Sequence, residues 1–153
     1  MSSEAAIQRI IVGVDGSNAS IEALRHAERL AVEHGAVVEA TACWEYSNLY
    51  DAYAALGIDR PKDEARQVLA EAITKAFGPV TPENVNPVLV RGDARSLLIE
   101  SSKSAAMLVL GNRGHGGFMG LRLGSVTAAC VAHAHCPVLV VHNKDEMLAP
   151  SQA

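Results

Sequence analysis

Five short apolar runs, each set off from the next by a polar turn and a stretch of helical period, leave this chain few folds to choose from. The first is Ile10-Ile11-Val12-Gly13-Val14, β-branched and without polar alternation. A strand of that kind is buried on both faces, as strands of parallel sheets are. Ala36 to Trp44, Val85 to Val90, Met107 to Leu110 and Val138 to Val141 supply the other four runs. Pro87 lacks a backbone N–H, so it predicts that the third run is an edge strand or starts late.

The intervening segments read as helices. Asp15-Gly16-Ser17 breaks the first run, and Ser17 or Ser20 can cap a helix. In that helix Ile21, Leu24, Ala27 and Ala31 form one apolar stripe, and Gly35 is placed to end it. Ala65, Val68, Leu69, Ala72, Ile73 and Ala76 repeat the helical period before Gly78-Pro79 stops it. Asp93 can cap a third helix through Ala94, Leu97, Leu98 and Ser101. Ser125 to His135 is mostly apolar, which predicts a buried fourth helix.

Strands alternating with helices imply a parallel sheet with right-handed crossovers. The expected fold class is therefore α/β: one doubly wound domain, a five-stranded parallel sheet of order 3-2-1-4-5, with helices on both faces. The domain is expected to fill residues 1–153, with a core of about 8–142 and a mobile tail over 143–153. In this order the strand direction of travel reverses between the first and fourth strands. Ligands of such sheets bind at that point, outside the carboxyl ends of the strands.

Composition narrows the partners. The formal net charge is −4, and no basic cluster offers a footprint for nucleic acid or a membrane surface. No window approaches the roughly 18 apolar residues of a membrane span. Residues 1–9 contain Glu4 and no signal-peptide core. Cys43, Cys130 and Cys136 are an odd number without a C-x-x-C pair, which points to a reduced, cytoplasmic protein. His133 and His135 lie two apart at a helix end and do not face the same way, so no metal site is expected. The stretch from Glu45 to Pro61, with Tyr46, Tyr50 and Tyr53, is the least legible, and packing against the sheet is its default.

The chemistry concentrates between Gly111 and Ser125. Glycines at Gly111, Gly114, Gly116, Gly117, Gly120 and Gly124 let backbone N–H groups approach an anion. Gly124-Ser125-Val126 opens a helix, whose unpaired N–H groups and dipole would face the same anion. From Ala105 to Asn143 there is no Asp or Glu, while Arg113, Arg122 and four of the six histidines are present. The loop is not a Walker A motif, for no Gly-Lys-Ser/Thr ends it. Nor is it the dinucleotide pattern, since Met119 stands at the third glycine position. On these grounds alone, a phosphate cradle and a plain flexible connection both stand.

The spacing Gly111-x-x-Gly114, nine residues, then Gly124-Ser125 resembles the ATP-binding signature of the universal stress protein family. Ile10 to Ser17 is similar to the family's opening strand and turn, and Cys136 to Val141 to its closing strand. The resemblance implies ATP, accompanied by Mg²⁺, as the ligand. It implies that Gly13 and Asp15 lie around adenine and ribose, and that Ala42 and Cys43 form the adenine wall. Gly111, Arg113, Gly114 and Gly116 would be the phosphate loop, and Gly124, Ser125 and Val126 the helix start that holds phosphates and ribose. A homodimer paired through Val138–Val141 is also implied. Asn112 stands where serine is frequent in the family, Ala106 where aspartate is, and Arg122 where an apolar residue is.

Phosphoryl transfer needs a positioned base and a firmly held metal. The sequence offers no P-loop lysine, no paired carboxylates beside the loop and no H-x-G-H pattern. A nucleotide-dependent stress or signalling regulator with little or no catalysis, acting on an unknown protein partner, is the leading expectation. A slow ATPase or phosphotransfer enzyme, and an interaction module that binds no nucleotide, are the alternatives.

Overall fold

The computed structural model describes residues 8–45, 55–57, 60–113 and 123–143. Five strands, β1 (Arg9–Gly13), β2 (Val37–Trp44), β3 (Val85–Arg91), β4 (Met107–Gly111) and β5 (Val138–Val141), form one sheet in the order β3-β2-β1-β4-β5. Every neighbouring pair is parallel. The helices given in full by the described residues are α1 (Asn18–His34), α2 (Arg60–Phe77), α3 (Ala94–Ser101) and α4 (Ser125–His133), with a 3₁₀ turn at Ser102–Ser104. This is the doubly wound α/β fold and strand order expected from the alternating runs. Tyr46, Tyr50, Tyr53, Gly114, Gly116, Arg122 and the expected tail beyond Asn143 lie outside the described residues.

Both faces of the sheet are covered, which is why β1 and β4 carry apolar residues at consecutive positions. On one face α1 and α2 pack over Val12, Val38, Ala40, Ala42 and Val109, all 2% exposed or less. On the other, Ile11, Leu108 and Leu110 meet Leu98 of α3 and Cys130 of α4. Fully burying a side chain of this size stabilises the fold by about 1.5–3 kcal/mol.

Local chemistry sets the helix ends as the sequence predicts. The Ser17 hydroxyl accepts from the Ser20 N–H, and Asp93 accepts from the Ser96 N–H, so each caps its helix. Gly35, at φ 63°, ends α1 in the left-handed conformation. The fourth helix departs from expectation. Of its residues only Thr127 and Cys130 are buried, and Val131 is 51% exposed. Its apolar residues outnumber what one sheet face can cover, so part of α4 beside β5 faces outward.

The two sheet edges differ. β3 begins at Val85 rather than late, and it is an edge strand, so the first of the two readings of Pro87 holds. The ladder bonds Val38 N–H to Asn84 O and Gly92 N–H to Trp44 O turn the even-numbered peptides of β3 toward β2. Pro87 therefore stands at an outward-facing position and removes a donor from the rim. The Val85 N–H is spent on Pro82 O. On β5, Leu108 N–H to Pro137 O and Asn112 N–H to Val141 O turn odd positions inward, which leaves Val138 and Val140 facing out.

Candidate functional site

The carboxyl ends of β1 and β4 lie side by side, and a cavity of about 210 Å³ opens over them. Its walls come from the ends of several elements. The β1 end and following turn give Gly13, Val14, Asp15 and Ser17. Alternate residues of β2 give Thr41 and Cys43. The β4 end gives Leu110, Gly111 and Arg113, and the start of α4 gives Gly124, Ser125, Val126 and Thr127. Ala94 and Leu98 of α3 close the remaining side.

Eight sequence-predicted site residues thus meet in one cavity: Gly13, Asp15, Cys43, Gly111, Arg113, Gly124, Ser125 and Val126. Gly114 and Gly116 lie outside the described residues. Ala42, expected with Cys43 on one wall, instead points into the α1–α2 core, because neighbours along a strand face opposite ways. The same rule, applied to Cys43, selects Thr41, which sequence reasoning missed. Ala94 was missed as a wall residue for another reason. Every strand of a parallel sheet ends on one rim, so the turn after β3 also reaches the cavity.

Three helices begin at this cavity, and their positive ends are not equally available. At α1 the Ser17 hydroxyl occupies the first turn. At α3 the Asp93 carboxylate does so, and hydrogen bonds from the Ser96 N–H and hydroxyl hold it below the usual carboxylate range. At α4 the cap residue is Gly124, which has no side chain to turn inward, and no side-chain cap bond is made. Among the described residues, α4 is the helix whose cap residue places no side chain over its first turn, and its first-turn N–H groups suit an anion. Asp15 and Arg113 are the charged side chains among the described lining residues.

The loop is pinned where it leaves and re-enters the fold. The Gly124 N–H donates to Asn112 O at 2.8 Å, and the Thr127 hydroxyl donates to Gly111 O at 2.7 Å. Gly124 has φ −67° and ψ 163°, an extended conformation open to any residue. Its value is the absent side chain and not a left-handed backbone. Gly111 answers to a different constraint. A Cβ there would lie 2.7 Å from the Ala19 carbonyl carbon, so α1 can rest over the switch point only because position 111 is bare.

Asp15 serves two ends, since its Oδ1 accepts from the Ser17 N–H at 2.9 Å while the residue lines the cavity. Burial pushes the Cys43 thiol up to about 11, with the Asp93 charge adding to the effect. At neutral pH it is a protonated wall residue and not a nucleophile. Trp44, the next residue, has the Lys62 ammonium at 5.9 Å and the Arg91 guanidinium at 5.8 Å from its ring centre. Among the described residues no group of His, Cys, Asp and Glu is arranged to hold a metal. Nor is any described helix long and apolar enough to cross a membrane.

Fold and site together define a class: a doubly wound α/β domain with a cavity at the topological switch point. The model of the universal stress protein family matches residues 6–142, and the chain belongs to that family. It is similar to universal stress protein Rv2623 of Mycobacterium tuberculosis, at 34% identity over all of this chain and 54% of the relative. A universal stress protein of Mycolicibacterium smegmatis is 31% identical over 90% of this chain and 49% of its own length. The chain thus spans about half the length of the curated relatives it matches.

Among solved structures, UspA of Lactobacillus plantarum superposes with a TM-score of 0.72 at 22% identity, covering 90% of this chain and 99% of that one. A universal stress protein in complex with cAMP gives 0.57 at 26% identity, covering 91% and 99%.

Proposed function

We propose that this protein binds ATP, or a close adenine nucleotide, in the switch-point cavity and acts as a nucleotide-dependent stress or signalling regulator with little or no catalysis. The observation that carries the reading is the N-terminus of α4, capped by no side chain among the described residues and set beside Arg113 in a cavity that Thr41 and Cys43 also line. A polyanion suits the helix start, and a flat, weakly polar base suits the wall at Thr41 and Cys43. The family member solved with cAMP supports an adenine nucleotide as the ligand class. Gly114 and Gly116 belong to the proposed phosphate loop by their spacing in the sequence.

Mg²⁺ enters in this reading with the nucleotide. Asp15 is the carboxylate among the described wall residues, so phosphate oxygens and water would make most of the coordination shell. The cation would screen charge between phosphates. The three free thiols suit a reducing, cytoplasmic setting.

Nucleotide at 100 times its dissociation constant is expected to stabilise the fold by about 2.7 kcal/mol. Thermal melts with ATP and Mg²⁺ measure this, and quenching of Trp44, the single tryptophan, gives a second readout one residue from the cavity wall. An unmoved melting temperature together with silent calorimetry would sink the proposal.

We further propose a homodimer formed through Val138–Val141, the other partner being a protein of unknown identity. The outward peptides of β5 and the exposed apolar flank of α4 at Val131 support pairing on this side, while Pro87 disfavours the opposite edge. Light scattering at micromolar concentration is expected to give twice the chain mass of 16.1 kDa. A monomer with and without ATP would exclude it.

A further inference from the structure

Ser17 lines the cavity, and its hydroxyl is directed at two backbone groups. It accepts from the Ser20 N–H at 3.2 Å and donates to the Arg113 carbonyl at 3.4 Å. A hydroxyl has one proton. With that proton on Arg113 O, Ser17 has none left for a ligand. The residue is itself fixed: its N–H is held by Asp15 Oδ1, and its carbonyl accepts from the Ile21 N–H and the Ser20 hydroxyl. It is 8% exposed. A fixed donor at the N-cap of α1 thus faces, across the switch point, a carbonyl 96 residues further along the chain.

That carbonyl belongs to Arg113, the residue after Asn112, from which the loop departs. Peptide oxygens carry partial negative charge, and one turned toward the α4 N-terminus would compete with an anion for the same N–H groups. We propose that Ser17 is a positioning residue for anion binding: it holds the Arg113 carbonyl against the start of α1 and so keeps that acceptor out of the phosphate end of the cavity. The inference rests on the nucleotide reading above and adds to it a device that acts without touching the ligand.

The test uses three variants and two ligands. Ser17→Gly removes the donor, while glycine still caps a helix almost as well as serine. Ser17→Ala removes donor and cap together. Ser17→Thr keeps the hydroxyl and serves as the rescue. ATP and adenosine are titrated onto each by calorimetry, because adenosine shares the base and sugar but has no phosphate. Ser17→Gly is expected to weaken ATP about tenfold, to leave adenosine within twofold, and to melt near the parent. Ser17→Ala should weaken ATP about as much while melting lower, and Ser17→Thr should restore ATP to within about threefold. Equal loss for ATP and adenosine would mean a general structural role and overturn the proposal. So would unchanged ATP affinity in Ser17→Gly. A parent protein that binds neither ligand overturns the nucleotide reading, and this proposal with it, whereas a parent that binds ATP with no selective loss in the variants overturns this proposal alone.

Discussion

Gly111→Ala is expected to lower stability by about 2–3 kcal/mol, at the upper end of the ordinary cost of overpacking. The added methyl would sit 2.7 Å from both the Ala19 carbonyl carbon and Ala19 Cβ, and 2.9 Å from the Ser20 nitrogen. Two of these atoms are backbone, at the start of a helix whose cap is tied to the adjacent turn. No flexible side chain can swing aside, so α1 must move off β4. Gly13→Ala is the matched comparison. There the new Cβ would meet Leu110 Cδ2 at 2.8 Å and Leu98 Cδ1 at 3.2 Å, both ends of side chains that can turn. It should cost less, about 1 kcal/mol. Urea unfolding of the two variants decides the matter. Equal midpoints would show that the α1–β4 approach is not limiting.

Gly114→Val combined with Gly124→Val is expected to reduce ATP affinity at least a hundredfold, about 2.8 kcal/mol at 1.4 kcal/mol per decade. The argument is steric. Gly124 lines the cavity at the head of α4, and an isopropyl group there would stand over the N–H groups that the phosphates need. Its extended backbone accepts valine without strain, so circular dichroism should remain near native. Some stability is lost because valine caps helices poorly. Arg122→Ala is the control for charge and should weaken binding less. A folded double variant that binds ATP as the parent does would move the phosphates out of this loop.

Much of the fold could be read from residues whose role is local. The runs at Ile10–Val14 and Met107–Leu110, Ser17 and Asp93 as caps, and Gly35 as a stop all act within a few positions of themselves. Eight site residues were legible because the resemblance to the universal stress protein family implies them, in the crevice to which the glycine spacing and the switch-point rule also point. What was not legible depends on three-dimensional neighbours. Thr41 and Ala42 differ only in which face of β2 they occupy, and a half-turn error in a strand of eight residues exchanges them. The exposure of Val131 depends on how much apolar surface the sheet can cover, which no window of sequence states. Gly111 was read as part of an anion loop, and it does line the cavity. Its strictest constraint comes from Ala19, 92 positions earlier, and leaves no trace in its own surroundings.

The proline in β3 has a consequence for how many copies can assemble. A sheet with two open rims can be extended without limit, each newcomer offering a fresh rim, which is how filaments grow. Here one rim is short of donors: Pro87 has none to give and the Val85 N–H is spent on Pro82. That rim keeps the outward peptides of Leu89 and Arg91 but is poorer in donors than a regular edge, so pairing there is disfavoured. In the proposed dimer, two copies joined at β5 by a two-fold axis would bury their donor-rich rims and turn the poorer ones outward. The proline on the far side of the sheet would then favour an assembly that stops at two.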